Sequence, residues 1–192
     1  MARHLTLAAA GAAAALLGWP GQVMATATPT HAASAAWQLA DGKNTRVSVN
    51  TSRIDNRSTM SLFVSQEYCD AATDTLVYRS FSASTSLTQK QYQVLSKMKG
   101  ANLAVTTPVS GTQMRIPNCA APDHAAATTS SLGSAATAIA VTWTGVGSTY
   151  IVQPGVTGRA ATATGSITGG ALSPLNLGVL GTSQSAELRS IG

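Results

Sequence analysis

Apolar and polar side chains alternate one for one through much of this chain. Val47, Val49 and Thr51 alternate with Arg46, Ser48 and Asn50. Met60, Leu62 and Val64 alternate with Ser61, Phe63 and Ser65; Ile139, Val141 and Trp143 alternate with Ala140, Thr142 and Thr144. A period of two turns one row of side chains to a core and the other to water, so each stretch predicts a half-buried strand. Trp37 and Leu39 predict a strand before the Asp41-Gly42 turn pair. Residues 60–69 and 75–83, joined by the turn DAATD, predict a hairpin. Residues 139–144 and 150–152 predict a second, turned by GVGS at 145–148 and stopped by Pro154-Gly155. Weaker strands fall at 159–167, 175–179 and 187–191. The predicted core is Val47, Val49, Leu62, Val64, Val141 and Trp143, with Trp37 beside it.

One stretch breaks the alternation. In SLTQKQYQVLSKMKG, 86–100, the positions Leu87, Gln91, Val94, Leu95 and Met98 recur at helical spacing. Ser86 and Gln89 can cap reciprocally, Lys97 and Lys99 suit the negative end of a helix dipole, and Gly100 can close it. This predicts one short amphipathic helix. Residues 101–115 read as two short strands or one bulged strand, with Pro108 at an edge or bend because proline donates no hydrogen bond. Residues 116–136 read as a long loop. The fold expected is mainly β: an antiparallel β-sandwich of about seven to nine strands, Greek-key or immunoglobulin-like, with one short helix.

The first residues have a different logic. Arg3 and His4 precede an apolar run from Leu5 to Leu17, then Pro20-Gly21 and small residues. That order is a secretory signal peptide, with A-x-A cuts after Ala27 or within 32–36. The run is shorter than the roughly 20 residues that span a bilayer, so no stable membrane span is expected after cleavage. The expected organisation is a leader over 1–36 and a single domain over 37–192, secreted or periplasmic. The alanine-rich leader points to a bacterial source. Removing Arg3 from the twelve basic residues leaves eleven against seven acidic ones, spread without a run. Nucleic-acid binding needs a concentrated basic stripe, which is missing.

Export also decides the thiols. Cys69 and Cys119 are the only cysteines, and two thiols in an oxidising compartment pair. The alternative, a metal site of Cys119, His124, Cys69 and acids, lacks the second histidine and methionine of a blue-copper set and the paired spacings of structural zinc. No metal or cofactor is expected. For catalysis, His124 beside Asp123 is the one imidazole in the body of the domain, and no nucleophile motif accompanies it. Asp70 and Asp74 resemble a carboxylate pair but fit turn chemistry better. GVGS precedes a strand rather than a helix, so it is no phosphate loop.

Three functions remain. The leading one is an exported, non-catalytic module that binds a protein or glycan outside the cell or in its envelope. The second is an assembly subunit exchanging strands through its tail, 155–192. The third is a small secreted hydrolase using His124.

Overall fold

Residues 30–169 and 177–191 are described by a computed structural model. The signal-peptide features up to Ala27 lie outside them, as does the start of the strand expected at 175–179. The strands are β1 (Thr30–Leu39), β2 (Thr45–Ile54), β3 (Arg57–Asp70), β4 (Thr75–Leu87), β5 (Tyr92–Val94), β6 (Gly100–Pro117), β7 (Thr128–Gln153), β8 (Val156–Gly169), β9 (Gly178–Thr182) and β10 (Ser185–Ile191). All pairings are antiparallel.

Neighbours in the chain are neighbours in the sheet from β1 to β4 and from β6 to β8. Strand β10 then pairs with both β8 and β1, so that Ile191 stands opposite Val156 on one side and Thr30 on the other. The path returns to its start. Strands β1, β2, β3, β4, β6, β7, β8 and β10 form one closed up-and-down barrel. Strand β9 continues the β10 position along β8, and Ser183 and Gln184 stitch the break between them to Ala163 and Ala36. The sequence reading of two stacked sheets with Greek-key connections is corrected on this point. Period-two alternation is identical for a sheet facing another sheet and for a sheet rolled onto itself, and only the β10–β1 pairing distinguishes them.

Closure at this strand number leaves an interior that side chains fill. Val47, Val49, Leu62, Val64, Val141 and Trp143 all point inward and are at most 2% exposed. Trp143 donates from Nε1 to the Ser34 carbonyl at 2.9 Å, tying β7 to β1 across the barrel. Trp37 does the same to Gly181 at 3.3 Å. One glycine makes room: a Cβ at Gly111 would lie 2.6 Å from the Phe81 ring, which crosses the inner side of β6 there. The register of β6 against β7 shifts at the next residue, so the bulged-strand reading of 101–115 describes β6. Pro108 sits in β6 opposite Ala136 of β7. The β4 ladder to β6 begins only at Ser110 and the β5 ladder ends at Leu103, so Pro108 falls in the gap between them, where no donor is called for.

Four further expectations are corrected. The helix over 86–100 is absent: Leu87 ends β4, residues 92–94 form β5, and Ser96–Met98 is a single 3-10 turn with Lys97 at φ 57°. Backbone pairing with the β6 edge overrides a narrow helical stripe. The long loop is shorter than expected, since β6 runs to Pro117 and β7 starts at Thr128. GVGS is no turn: β7 runs through it to Gln153, and the extra residues form a bulge against β8 between the Gly145 and Thr149 pairings. Finally, residues 30–36, read as leader, are wall. They pair with β2 on one edge and β10 on the other. A cut after Ala27 leaves β1 whole, whereas a cut within 32–36 removes between three and seven of its ten residues.

That placement gives His31 a position in the wall. It lies in β1 opposite Arg53 and Ser190, with Nδ1 buried and unpartnered. Burial, and then the nearby Arg53 charge, push its pKa below the ordinary value. Acidification below about 6.5 therefore protonates the unfolded chain before the folded one and draws the equilibrium towards unfolding. The melting temperature is expected to fall between pH 7.5 and pH 5.5, and His31→Gln to flatten that slope. An unchanged slope in His31→Gln would remove His31 as the cause.

Candidate functional groove

The outward rows of the barrel wall build the site. Where the strands cross, one row runs Glu67, Tyr78, Met114, Thr129 over β3, β4, β6 and β7. The next row runs Arg46, Ser65, Ser80, Thr112, Ser131 from β2 to β7. All of these but Ser131 line an open groove of ≈ 370 Å³. Tyr78 and Met114 provide an apolar floor. Arg46, Glu67 and Asn44 provide a charged and amide margin, and the Ser80 and Thr112 hydroxyls are hydrogen-bonded at 2.8 Å. Arg46 and Glu67 are both exposed and neither is in an ion pair among the described residues.

The groove continues along the wall. Arg46 and Ser65 also border a neighbouring hollow with Phe63, Ser48 and Gln38. Phe63 is 50% exposed. Beyond it, Ser34, Asn50, Ser61 and Ser84 line a third hollow on the same outward face. The result is an extended trough along β3 with two aromatic side chains and many hydroxyl groups. Beneath the first groove the inner face is polar as well. Thr45 and Gln66 are buried, Gln66 Nε2 donates to Thr45 Oγ1 at 3.1 Å, and Gln66 Oε1 is left without a partner. Arg79 donates to Gln113 at 2.7 Å and stacks with Lys43 about the Tyr68 ring at 5.4 and 5.5 Å. These contacts hold the backbone that carries Glu67 and Tyr78.

The residues singled out from sequence sit elsewhere. Cys69 and Cys119 form a disulfide with Cα atoms 5.8 Å apart, outside the barrel wall. It ties the end of β3 to the segment after β6. Asp74 reinforces the tie, accepting from the Asn118 N–H through its carbonyl at 2.8 Å and from the Cys119 N–H through Oδ1 at 3.2 Å. Ile116 is completely buried beneath this segment. The ligand atoms of Cys69, Asp74 and Cys119 lie within 4.8 Å of one another, yet the sulfurs are bonded to each other, so one carboxylate is all that is left for a cation.

Asp70 behaves as a turn residue. Oδ1 accepts from the Ala72 N–H and Oδ2 pairs with Arg115 at 3.2 Å. Hydrogen bonds from Thr73 and Arg115 hold its pKa below the ordinary carboxylate value. His124 begins an exposed 3-10 turn, and the Asp123 carboxylate accepts from the Ala125 N–H instead of orienting the imidazole. Neither residue lines the groove. Tyr78, Met114, Arg46 and Glu67 were not singled out from sequence. Phe63 did carry a signal, because it occupies the water-facing phase of an alternating strand.

The chain matches no family model, no curated protein and no solved structure.

Proposed function

We propose that this protein is an exported, non-catalytic binding module that holds a hydroxyl-rich, glycan-like ligand in the outer trough. The observation that supports this most directly is the groove in which Tyr78 and Met114 lie between Glu67, Arg46 and the paired Ser80 and Thr112 hydroxyls. A sugar ring has one face of C–H groups and a margin of hydroxyls. The C–H face packs against the negative face of an aromatic ring, and the hydroxyls exchange hydrogen bonds with carboxylate, guanidinium and hydroxyl groups. An open trough suits a chain passing through better than a small molecule enclosed in a cavity. The disulfide and its setting fit an oxidising compartment.

The two other readings have less in their favour. Strand exchange through 155–192 would require breaking β8 and β10, each already paired on both edges. Hydrolysis through His124 would need a nucleophile and an orienting group, and its neighbour Asp123 is engaged with the backbone.

Titration calorimetry against a panel of soluble neutral and acidic oligosaccharides tests the proposal. At least one is expected to bind, and Tyr78→Ala to weaken it tenfold or more, because stacking on the floor is lost. Arg46→Ala is expected to weaken it several-fold, and His124→Ala to have no effect. Binding that ignores Tyr78→Ala would place the ligand elsewhere and remove this reading.

A further inference from the structure

The end of the barrel away from the disulfide has an unusual surface. It comprises the β2–β3 turn, the connection from β4 to β6, the β7–β8 hairpin and the end of β10. Pairing of β6 with β7 stops at Gly100 and Thr144, so residues 146–153 run on past β6 as an edge ribbon paired with the start of β8, which β10 joins on its other side. The ribbon has no charged residue from Gly145 to Val156. Val146, Tyr150, Ile151 and Val152 are exposed on it, Ile151 at 81%. Ile54, Leu95 and Ile191 are exposed at the same end. Of the large apolar side chains exposed among the described residues, only Phe63 and Val179 lie away from it. Every residue from Val146 to Gln153 is exposed and, among the described residues, this segment pairs along one edge alone, so its apolar side chains are available to a partner.

The charges at this end are one-sided. Arg53, Arg57, Lys97, Lys99, Arg159 and Arg189 stand there against Asp55 and Glu187. Glu187 is already engaged by Arg189 at 2.7 Å and by the Tyr150 hydroxyl at 2.5 Å. At the opposite end the acids Asp41, Asp70, Asp74 and Asp123 offset Lys43 and Arg115. The positive charge of the chain is therefore concentrated where the apolar ribbon projects.

We propose that this end docks on an anionic lipid surface. The ribbon's Tyr150, Ile151 and Val152 enter the boundary between headgroups and acyl chains, and Arg57, Lys97 and Lys99 face the headgroup phosphates. Apolar and aromatic side chains ringed by lysine and arginine have the composition of an interfacial anchor. Other occupants fit less well. A second copy would bring a second set of unpaired cations to the same interface, and a soluble anionic polymer would leave the apolar ribbon in water.

Co-sedimentation of the full chain with phosphatidylglycerol–phosphatidylcholine vesicles, and with phosphatidylcholine vesicles alone, tests the proposal. Binding is expected to the anionic vesicles and to be much weaker to the neutral ones. Ile151→Asp and the double variant Lys97→Glu/Lys99→Glu are each expected to reduce apparent affinity about tenfold or more. The lysine-dependent part should vanish in 1 M salt, where the Debye length is about 3 Å. All three substituted side chains are exposed, so unchanged melting curves establish that the barrel is intact. Residues 1–29 are the same in every variant, so their contribution cancels when variants are compared. Equal binding to both vesicle types, or binding indifferent to Ile151→Asp, overturns the proposal. So does a dimer in solution that the same substitutions dissociate. Tyr78→Ala leaves vesicle binding unchanged, which separates this test from that of the groove.

Discussion

Replacing Trp143 by alanine is expected to lower the stability of the barrel by about 3–5 kcal/mol. The indole is 1% exposed and is the largest fully buried side chain among the described residues. Its cross-strand neighbours are Ala101 on β6 and Ala163 on β8, so it fills space that two small residues leave open. Truncation opens a cavity in an interior that closure of the barrel keeps from collapsing. It also strands the Ser34 carbonyl, which accepts from the indole at 2.9 Å. Trp143→Phe keeps much of the ring but donates no hydrogen bond, and should fall between the two. Urea titration reads the change as a lower midpoint at constant slope. A loss below about 1 kcal/mol for the alanine variant would mean that the ring does not bridge β7 and β1 as described.

The double replacement Cys69→Ala/Cys119→Ala comes next, at about 4 kcal/mol. The bond spans 50 positions, and opening a loop of that size returns roughly this much chain entropy to the unfolded state. The folded state changes less. The backbone N–H groups at positions 118 and 119 stay hydrogen-bonded to Asp74, and Arg115 stays paired with Asp70. The variant should therefore fold to the same barrel and unfold at a lower denaturant concentration. The native protein treated with reductant should follow the variant's curve. Coincident curves for the variant and the oxidised protein would show that the bond contributes nothing.

How much of this was readable beforehand differs from element to element. Each of the six core residues named from alternation is buried, because period two is a local property set by the pleat. Pairing of the two cysteines needed only the compartment and the count. The segment 86–100 misled, because four apolar positions at helical spacing say nothing of the β6 edge that Tyr92, Gln93 and Val94 pair with. GVGS misled for a related reason: glycines permit a turn and a bulge equally, and the partner strand chooses. The β1 residues 30–36 were hidden by their composition, since small residues suit both a cleavage region and a crowded wall.

The groove was the least legible feature. Glu67, Tyr78, Met114 and Thr129 come from four strands separated by more than sixty positions and meet only through the registers of three ladders. Nothing in the neighbourhood of any one of them indicates the others.

By itself the sequence determined which residues face inward along each strand and which two sulfurs were available to pair, because both follow from local alternation and from composition. Only the tertiary structure decided that the sheet closes, that the outward rows align into a trough, and that the cations and the apolar ribbon share one end. Those outcomes depend on register between distant strands, and register is set by the sum of many pairings that no short stretch of the chain contains.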